Sequence, residues 1–251
     1  MKILLTNDDS HDSPLFLLAI EILQDLGDVT IVVPAEEQSW KGKSMTRFGS
    51  LYVDHIDIHG YPAYSVTGTP ADCANLGIYN LMPELPDLVV SGINLGLNTG
   101  MGFVLASGTL GACFEANIAG IPALAISQHM AREDFIQWNS ERSFSEGSIE
   151  RHKEMTKKIF PGLWQEFVLD EAAAAVTWNV NLPMLLSSDE IVRTRLGKTV
   201  YKQCFSKRGD QYYHNLSDFS VDQEPDTDQL VVQQGKVSVT RLDMADIGQL
   251  I

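Results

Sequence analysis

Two adjacent carboxylates follow the first apolar run of this 251-residue chain, in a position typical of ligand-binding or catalytic residues. The run, within residues 2–6, is bounded by polar turn-forming residues, which predicts a buried strand. Asp8 and Asp9 come directly after it, where open α/β sheets bind their ligands. Side by side they repel each other and any anion, so they need water, protons or a bound cation. A second interpretation stays open, in which Asp9, Ser10 or Ser13 only caps the next helix.

Three further loops carry hydroxyl, amide or carboxylate groups beside predicted strands and helices. They are residues 34–44, 91–100 and 106–109. Such oxygen atoms are typical ligands of Mg²⁺ or Mn²⁺, whereas zinc prefers Cys and His. Backbone amides at the start of the helix that contains Gly111 would suit a phosphate group, helped by the helix dipole. A structural interpretation also stays open, because Ser107 and Thr109 are good N-caps and the glycines of 91–100 can simply make turns.

Coulomb repulsion between like charges favours a metal at this site. A carboxylate and a phosphate charge about 4 Å apart repel by about 4 kcal/mol at an effective dielectric of about 20. A bare pair of Asp8 and Asp9 would therefore repel a phosphate ester. A divalent cation bound to the pair would make the electrostatic interaction with the phosphate attractive. We predict a metal site that in turn accepts phosphate.

The order of the predicted elements indicates the fold that must bring these loops together. The predicted strands are 2–6, 29–34, 63–66, 87–90 and 123–126, and the predicted helices 14–23, 70–82 and 109–119. Strands that alternate with helices are typical of a mostly parallel sheet with helices on both faces, so we expect an α/β protein. Residues 67–72 are predicted to cap the second helix, with Pro70 at its first position and Asp72 near the capping-box position.

The pattern weakens in the second half of the chain. Residues 128–149 are polar with few apolar positions, and a helix over 148–168 and a strand over 174–180 follow. Residues 198–205 and 230–242 look strand-like, and the acidic run 218–228 between them is expected to be a solvated loop or turn. We therefore expect a core over residues 1–190 and a β-rich C-terminal extension over residues 191–251.

Composition argues against several classes of protein. Asp and Glu number 33 against 18 for Lys and Arg, and the net charge of −15 disfavours a nucleic-acid polymer as a stable partner. We expect no signal peptide, and no apolar stretch is long enough to cross a membrane. Cys73, Cys113 and Cys204 are far apart and odd in number, which predicts reduced thiols and a soluble cytoplasmic protein. A nicotinamide-dependent oxidoreductase is disfavoured, because Gly100-Met101-Gly102 lacks the third glycine of a dinucleotide fingerprint.

The motifs occur in one order along nearly the whole chain. They are Asn7-Asp8-Asp9, Ser39 with Gly42-Lys43-Ser44, residues 67–73, Ser91-Gly92-Ile93-Asn94 with Gly96 and Asn98, Ser107-Gly108-Thr109, residues 179–183 and residues 235–240. In this order they resemble the motifs of the SurE (survival protein E) family, least closely over residues 129–175. The resemblance implies a Rossmann-like core and a metal-dependent phosphatase of nucleoside monophosphates, a 5′- and 3′-nucleotidase. It also implies that the C-terminal extension joins subunits into dimers or tetramers.

The same resemblance implies a role for individual residues. One divalent ion per subunit, Mg²⁺ or Mn²⁺, would be held by Asp8, Asp9, Ser39 and Asn94. The phosphate would be surrounded by Asn98, Ser107, Gly108 and Thr109. Our leading hypothesis is a phosphomonoesterase in which metal-activated water attacks phosphorus. Asp8 and Asp9 are the expected catalytic residues, and Asp9 would orient or deprotonate that water.

The segment after the Asp pair departs from the family pattern at Ser10 and over His11-Asp12-Ser13-Pro14. The family usually has Gly directly after the Asp pair, where this chain has Ser10. If that position needs a positive φ, Ser10 could displace Asp9 or narrow the pocket. The alternative hypothesis is therefore a non-catalytic, nucleotide-binding oligomer with a decayed site.

Overall fold

A nine-stranded sheet organises the described part of the chain, which in this computed structural model is residues 1–169, 175–216 and 219–247. The strands are β1 (Lys2–Thr6), β2 (Asp28–Pro34), β3 (Val53–Ile58), β4 (Tyr61–Val66), β5 (Leu88–Leu95), β6 (Ala123–Gln128), β7 (Thr177–Leu182), β8 (Ile191–Thr194), β9 (Val200–Tyr201), β10 (Phe205–Arg208), β11 (Gln211–His214), β12 (Phe219–Ser220) and β13 (Val237–Leu242). The helices are α1 (Pro14–Gln24), α2 (Pro70–Leu76), α3 (Gly100–Ala106), α4 (Gly108–Ile118), α5 (Arg132–Glu141), α6 (Glu146–Leu163) and α7 (Asp228–Gln233). A π-helical turn extends α2 over Gly77–Leu81, and another extends α6 over Trp164–Leu169.

The strand order in this sheet is β3-β4-β2-β1-β5-β6-β7-β13-β8. β1 lies near its centre and pairs in parallel with β2 and β5, and the parallel pairing continues through β6 and β7. Antiparallel pairing occurs between β3 and β4 and between β13 and β7. The predicted α/β class with a mostly parallel sheet is confirmed. Parallel strands bring their carboxyl ends, and the loops that follow them, to one edge of the sheet.

Helices cover both faces of the sheet, as the strand of residues 2–6 illustrates. Ile3 and Leu5 belong to the hydrophobic core that includes α1 and α6. Leu4, between them, belongs to a second core with side chains of α2 and α4. Neighbouring residues of a strand point to opposite faces, so three consecutive apolar residues in the middle of β1 are what a sheet buried on both faces requires.

The predicted helix cap at residues 67–72 is confirmed. The backbone N–H of Asp72 donates to Oγ1 of Thr69 at 3.1 Å, and the backbone N–H of Thr69 donates to Oδ2 of Asp72 at 2.9 Å. These reciprocal bonds form a capping box, with Pro70 at the first helical position. This segment therefore has a structural role.

Several predictions of secondary structure were wrong. Residues 230–242 were expected to be strand-like, but α7 occupies their first part and only β13 is a strand. Within 198–205, regular strand is limited to β9 and the first residue of β10. Helices α3 and α5 form in stretches expected to be loop or irregular. Ala174, the first residue of the strand predicted over 174–180, lies outside the described residues, and β7 begins at Thr177.

The acidic run 218–228 was expected to be solvated throughout, and Asp228 contradicts this. Asp228 is buried, begins α7, and accepts hydrogen bonds from the backbone N–H groups of Gly100 and Gly197 at 2.7 and 3.0 Å. Burial still raises the pKa of its carboxyl, although these hydrogen bonds act in the opposite direction. Its partners are distant in sequence, so local composition could not reveal them. Asp218 lies outside the described residues.

Two strands of the predicted C-terminal extension, β8 and β13, pair within the main sheet, while β10 and β11 form a separate antiparallel hairpin. The division at residue 190 stays a prediction. No single helix of the described residues has the length and apolar character to cross a membrane, although the bent pair of α3 and α4 meets those criteria jointly.

Candidate active site

The loops singled out by their oxygen-bearing side chains meet at one cavity of about 590 Å³. It lies at the carboxyl-terminal edge of the central strands. The predicted site residues that line it are Asp8, Asp9, Ser39, Asn94, Asn98 and Ser107. Gly108 and Thr109 do not line it directly, but both contact Asp8. The structure thus brings together every residue that the sequence singled out for metal or phosphate.

Asp8 is buried and is held by the start of α4. Its Oδ1 accepts a 2.7 Å hydrogen bond from Oγ1 of Thr109. A Cβ atom added to Gly108 would lie 2.9 Å from both Cβ and Oδ2 of Asp8, so only glycine permits this approach. The carbonyl of Asp8 accepts from the backbone N–H of Gln38 at 2.8 Å, which connects the first loop to the loop that carries Ser39.

Asp9 is buried beside Asp8, and its Oδ2 accepts a 2.9 Å hydrogen bond from the backbone N–H of Leu95. Burial and then the charge of Asp8 hold the pKa of Asp9 well above its usual range, against the hydrogen bond from Leu95. Burial also raises the pKa of Asp8, against the hydrogen bonds from Thr109. Thr109 donates to Oδ1 of Asp8 and Leu95 to Oδ2 of Asp9, so among the described residues Oδ2 of Asp8 and Oδ1 of Asp9 are the oxygens best placed for a cation.

The capping interpretation of the first loop fails at Ser13, because no side-chain hydrogen bond caps α1 there. Ser10, the departure from the family pattern, has a φ of +72°. Its hydroxyl donates to the carbonyl of Pro34 at 2.9 Å, and its own carbonyl accepts from Nδ2 of Asn7 at 2.7 Å. Ser10 therefore adopts the left-handed conformation that favours glycine, and hydrogen bonds hold it there.

The other two predicted cation ligands lie on the loop after β2 and within β5. Nδ2 of Asn94 donates to the carbonyl of Gly96 at 3.0 Å, so its Oδ1 is the atom suited to a cation. The hydroxyl of Ser39 donates to Oε1 of Glu37 at 2.8 Å, which leaves lone pairs on its oxygen. Glu37 also lines the cavity.

Asn98 is anchored by two buried asparagines of β7. Its backbone N–H donates to Oδ1 of Asn181 at 2.8 Å, and its carbonyl accepts from Nδ2 of Asn179 at 2.8 Å. Its own Nδ2 donates to Oγ of Ser127 at 2.9 Å. These bonds explain why residues 179–183 belong with the site motifs, because they fix Asn98 at the cavity wall.

Ser107 serves the structural purpose that the sequence left open, since its Oγ accepts from the backbone N–H of Leu110 at 3.2 Å and caps α4. It also lines the cavity, so the N-terminus of this 11-residue helix lies at the site. Helix N-termini favour anions through free N–H groups and the helix dipole. The cap and the expected phosphate contact are therefore compatible.

The fit to a metal can be judged from these donors. Among the described residues, no group of three or more His, Cys, Asp or Glu side chains is placed to hold a metal ion. Two carboxylates, a hydroxyl and an amide oxygen instead face one cavity. An oxygen-only set suits Mg²⁺ or Mn²⁺, and it places two buried negative charges where a cation would stabilise them. The residues present fit a divalent cation.

Sequence reasoning missed one wall of the cavity. Helix α5 contributes Phe135, Trp138 and Asn139, and the end of the β10–β11 hairpin contributes His214 and Asn215. The spacing of Phe135 and Trp138 was a helical signal within a stretch judged irregular. Trp40, from the loop after β2, also lines the cavity and packs against His214 with ring centroids 4.7 Å apart.

The fold and the site define an α/β protein with an oxygen-rich cavity suited to a divalent cation and an anion. Comparison with known proteins is more specific, because the family described as Survival protein SurE matches residues 3–203. The chain belongs to the SurE family, and the resemblance noted from its motifs is confirmed.

Relatives of this family match over most of their length. The 5′-nucleotidase SurE of Methanosarcina acetivorans is 34% identical over 249 residues, which cover 97% of this chain and 92% of that protein. The 5′-nucleotidase SurE of Methanothermobacter thermautotrophicus is 36% identical over 219 residues, 85% of this chain and 81% of that protein. The crystal structure of the SurE protein from Aquifex aeolicus matches with a TM-score of 0.69 at 30% identity, covering 98% of this chain and 95% of that one.

Proposed function

We propose that this chain is a metal-dependent 5′-nucleotidase, a phosphoric monoester hydrolase that acts on nucleoside monophosphates. SurE-family nucleotidases are metal-dependent, and relatives at about a third identity over most of their length are named for this activity. The observation that carries the proposal is the pair of buried carboxylates, Asp8 and Asp9. Both line the same cavity as Ser107 at the N-terminus of α4, and hydrogen bonds from Thr109 and Leu95 hold their carboxylates in place.

Asp8, Asp9, Ser39 and Asn94 would hold one Mg²⁺ or Mn²⁺ ion. When bound, such an ion supplies Lewis acidity to a phosphate oxygen and makes water a better nucleophile. The carboxylate of Asp9, whose Oδ2 accepts a hydrogen bond from the N–H of Leu95, would orient the attacking water or accept its proton. That bond fixes the carboxylate and favours its orientation toward the cavity.

The phosphate would lie against Asn98, Ser107 and the first turn of α4, formed by Gly108 and Thr109. Stabilising the negative charge on the equatorial oxygens of the reacting phosphate needs hydrogen-bond donors that do not move during the reaction. Asn179 and Asn181 hold the backbone of Asn98 from β7, so its side chain has a fixed origin at the cavity wall. Its Nδ2 donates to Ser127 and Thr109, and it would exchange one of these hydrogen bonds for a phosphate oxygen. The cavity of about 590 Å³ also leaves room for a nucleoside beyond the phosphate.

The alternative, a nucleotide-binding oligomer with a decayed site, depended on Ser10. This residue takes a positive φ while Asp9 keeps its hydrogen bond to Leu95, which supports a working site. Assembly into dimers or tetramers stays a prediction, as does the cytoplasmic location.

Phosphate release from AMP, measured with Mn²⁺, with Mg²⁺ and with excess chelator, tests the proposal. We expect hydrolysis with either ion and its loss with chelator. Asp8→Asn should remove activity while the protein stays folded by circular dichroism. Hydrolysis that persists in chelator, or in Asp8→Asn, would reject the metal-dependent mechanism.

A further inference from the structure

Arg142, directly after helix α5, contacts two of the loops that form the cavity. Its Nη2 donates to the backbone carbonyl of Asp9 at 3.2 Å. Its Nη2 and Nε donate to Oδ1 and Oδ2 of Asp12 at 3.1 and 3.2 Å. Its Nη1 donates to Oε2 of Glu37. One guanidinium therefore connects the loop after β1 with the loop after β2.

The guanidinium is fixed by its aromatic neighbours. Its central carbon lies 4.0 Å from the ring centroid of Trp138, a cation–π contact. Trp138 is buried and stacks on Phe144, with ring centroids 5.3 Å apart. The backbone N–H of Arg142 donates to the carbonyl of Trp138 at 2.9 Å and ends the helix. The packed rings of Trp138 and Phe144 therefore hold the Arg142 guanidinium in place at the end of α5.

The contact with Glu37 extends to Ser39. Oε2 of Glu37 binds Arg142, and Oε1 accepts from the hydroxyl of Ser39 at 2.8 Å. Both carboxylate oxygens are therefore engaged, and the orientation of the Ser39 hydroxyl depends on a side chain that Arg142 holds in place. A hydrogen-bonded partner of a metal ligand commonly sets the geometry of that ligand.

The positive charge of Arg142 also offsets negative charge around the cavity. The described residues that line the cavity include Asp8, Asp9 and Glu37 and contain no Lys or Arg. Arg142 pairs with Glu37 and Asp12 at the rim, so it offsets negative charge without entering the cavity. A lysine could not do the same, because an ammonium is a point charge whereas a guanidinium offers a planar fork to several acceptors.

We propose that Arg142 is a positioning residue: it fixes the backbone of Asp9 and the Glu37–Ser39 pair, so that the cavity binds its divalent cation tightly. This inference rests on the proposed function, because it assumes that Asp9 and Ser39 are cation ligands. It gives the end of α5 a role in cation binding, although none of the predicted cation ligands lies on that helix.

The test is isothermal titration of the metal-free protein with Mn²⁺. Arg142→Met keeps a long apolar side chain over Trp138 and removes the charge and the donors. We expect about a tenfold or larger rise in the Kd for Mn²⁺, the usual effect of losing a partner of a metal ligand. Arg142→Lys should fall between Arg142→Met and the wild type.

Arg193→Met is the matched control. Arg193 also lies over an aromatic ring, 4.7 Å from the centroid of Phe167, and pairs with Glu166, but it is on β8 and outside the cavity lining. Its loss should leave the Kd for Mn²⁺ unchanged, and thermal unfolding of both variants separates general destabilisation from lost metal affinity.

A double-mutant cycle tests the route through Glu37. If Arg142 acts through Glu37, the combined Arg142→Met and Glu37→Gln variant should lose less affinity than the two single losses added together. Additive losses would overturn that route. Mn²⁺ binding by the wild type with an unchanged Kd in Arg142→Met and Arg142→Lys would overturn the inference alone. No Mn²⁺ binding by the wild type would overturn the proposed function itself, and the inference with it.

Discussion

The hydroxyl of Thr109 donates a 2.7 Å hydrogen bond to Oδ1 of Asp8, a residue 101 positions away in sequence. The bond joins the loop after β1 to the first turn of α4. The expected cation ligand and the expected phosphate-binding turn are therefore held as one unit, and Oδ2 of Asp8 is the oxygen that remains for a cation.

Thr109→Val keeps the shape of this side chain and removes its hydroxyl. We expect the free energy of unfolding to fall by about 1.5–3 kcal/mol, because a buried charged acceptor loses its donor. Denaturant unfolding of the metal-free protein measures this, and Thr109→Ser, which keeps a hydroxyl, is the control. Equal stability of the Val and wild-type proteins would contradict the importance of the bond.

Gly108→Ala places a methyl group where Asp8 already lies, with its Cβ 2.9 Å from Oδ2. We expect a loss of stability of about 1–3 kcal/mol from overpacking, and a large loss of AMP hydrolysis from displacement of Asp8. Gly147→Ala is the control, because its nearest neighbour would be 3.8 Å away in the first turn of α6. Hydrolysis of AMP by Gly108→Ala at the wild-type rate would show that this close approach is not needed.

Ser10→Gly tests whether Ser10 marks a decayed site. Glycine removes a left-handed strain of about 1–2 kcal/mol, and it also loses the hydrogen bond to Pro34, worth about 1 kcal/mol. We therefore expect nearly unchanged stability and activity close to the wild type, measured by unfolding and by AMP hydrolysis. Ser10→Val should be clearly destabilised, because β-branched residues tolerate this φ worst. A strong gain of activity in Ser10→Gly would favour the decayed-site hypothesis.

The buried side chain of His152 should make the stability of the folded protein depend on pH. It is buried on α6, and neither ring nitrogen has a hydrogen-bond partner among the described residues. Burial lowers the pKa of His152 below its ordinary 6.5, although the charge of Asp134 opposes this. The unfolded chain then binds more protons than the folded one, so stability should fall as the pH drops below 6.5. His152→Leu should flatten this part of the curve of unfolding free energy against pH, and an unchanged slope would show that His152 is not its source.

The sequence was most informative where local pattern decides structure. Asp8 and Asp9 were found because an apolar strand ends directly before them, and parallel pairing then makes their meeting with Asn94 predictable. The N-terminus of α4 was found for the same reason, because Ser107 is a local capping signal.

Long-range contacts explain what local patterns could not predict. Helix α5 has a polar sequence, and Arg142 at its end binds Asp12 and Glu37, which are 130 and 105 residues away. Asp228 looked solvated because its partners, Gly100 and Gly197, are 128 and 31 residues away. Neither set of contacts follows from composition or periodicity.

The most direct test of the metal site is the anomalous scattering of a crystal grown with Mn²⁺. We predict one strong peak per subunit within about 2.5 Å of Oδ2 of Asp8, Oδ1 of Asp9 and Oδ1 of Asn94, a distance set by oxygen coordination of divalent ions. A cavity without such a peak at saturating Mn²⁺, or a peak bound only by other residues, would contradict the central claim.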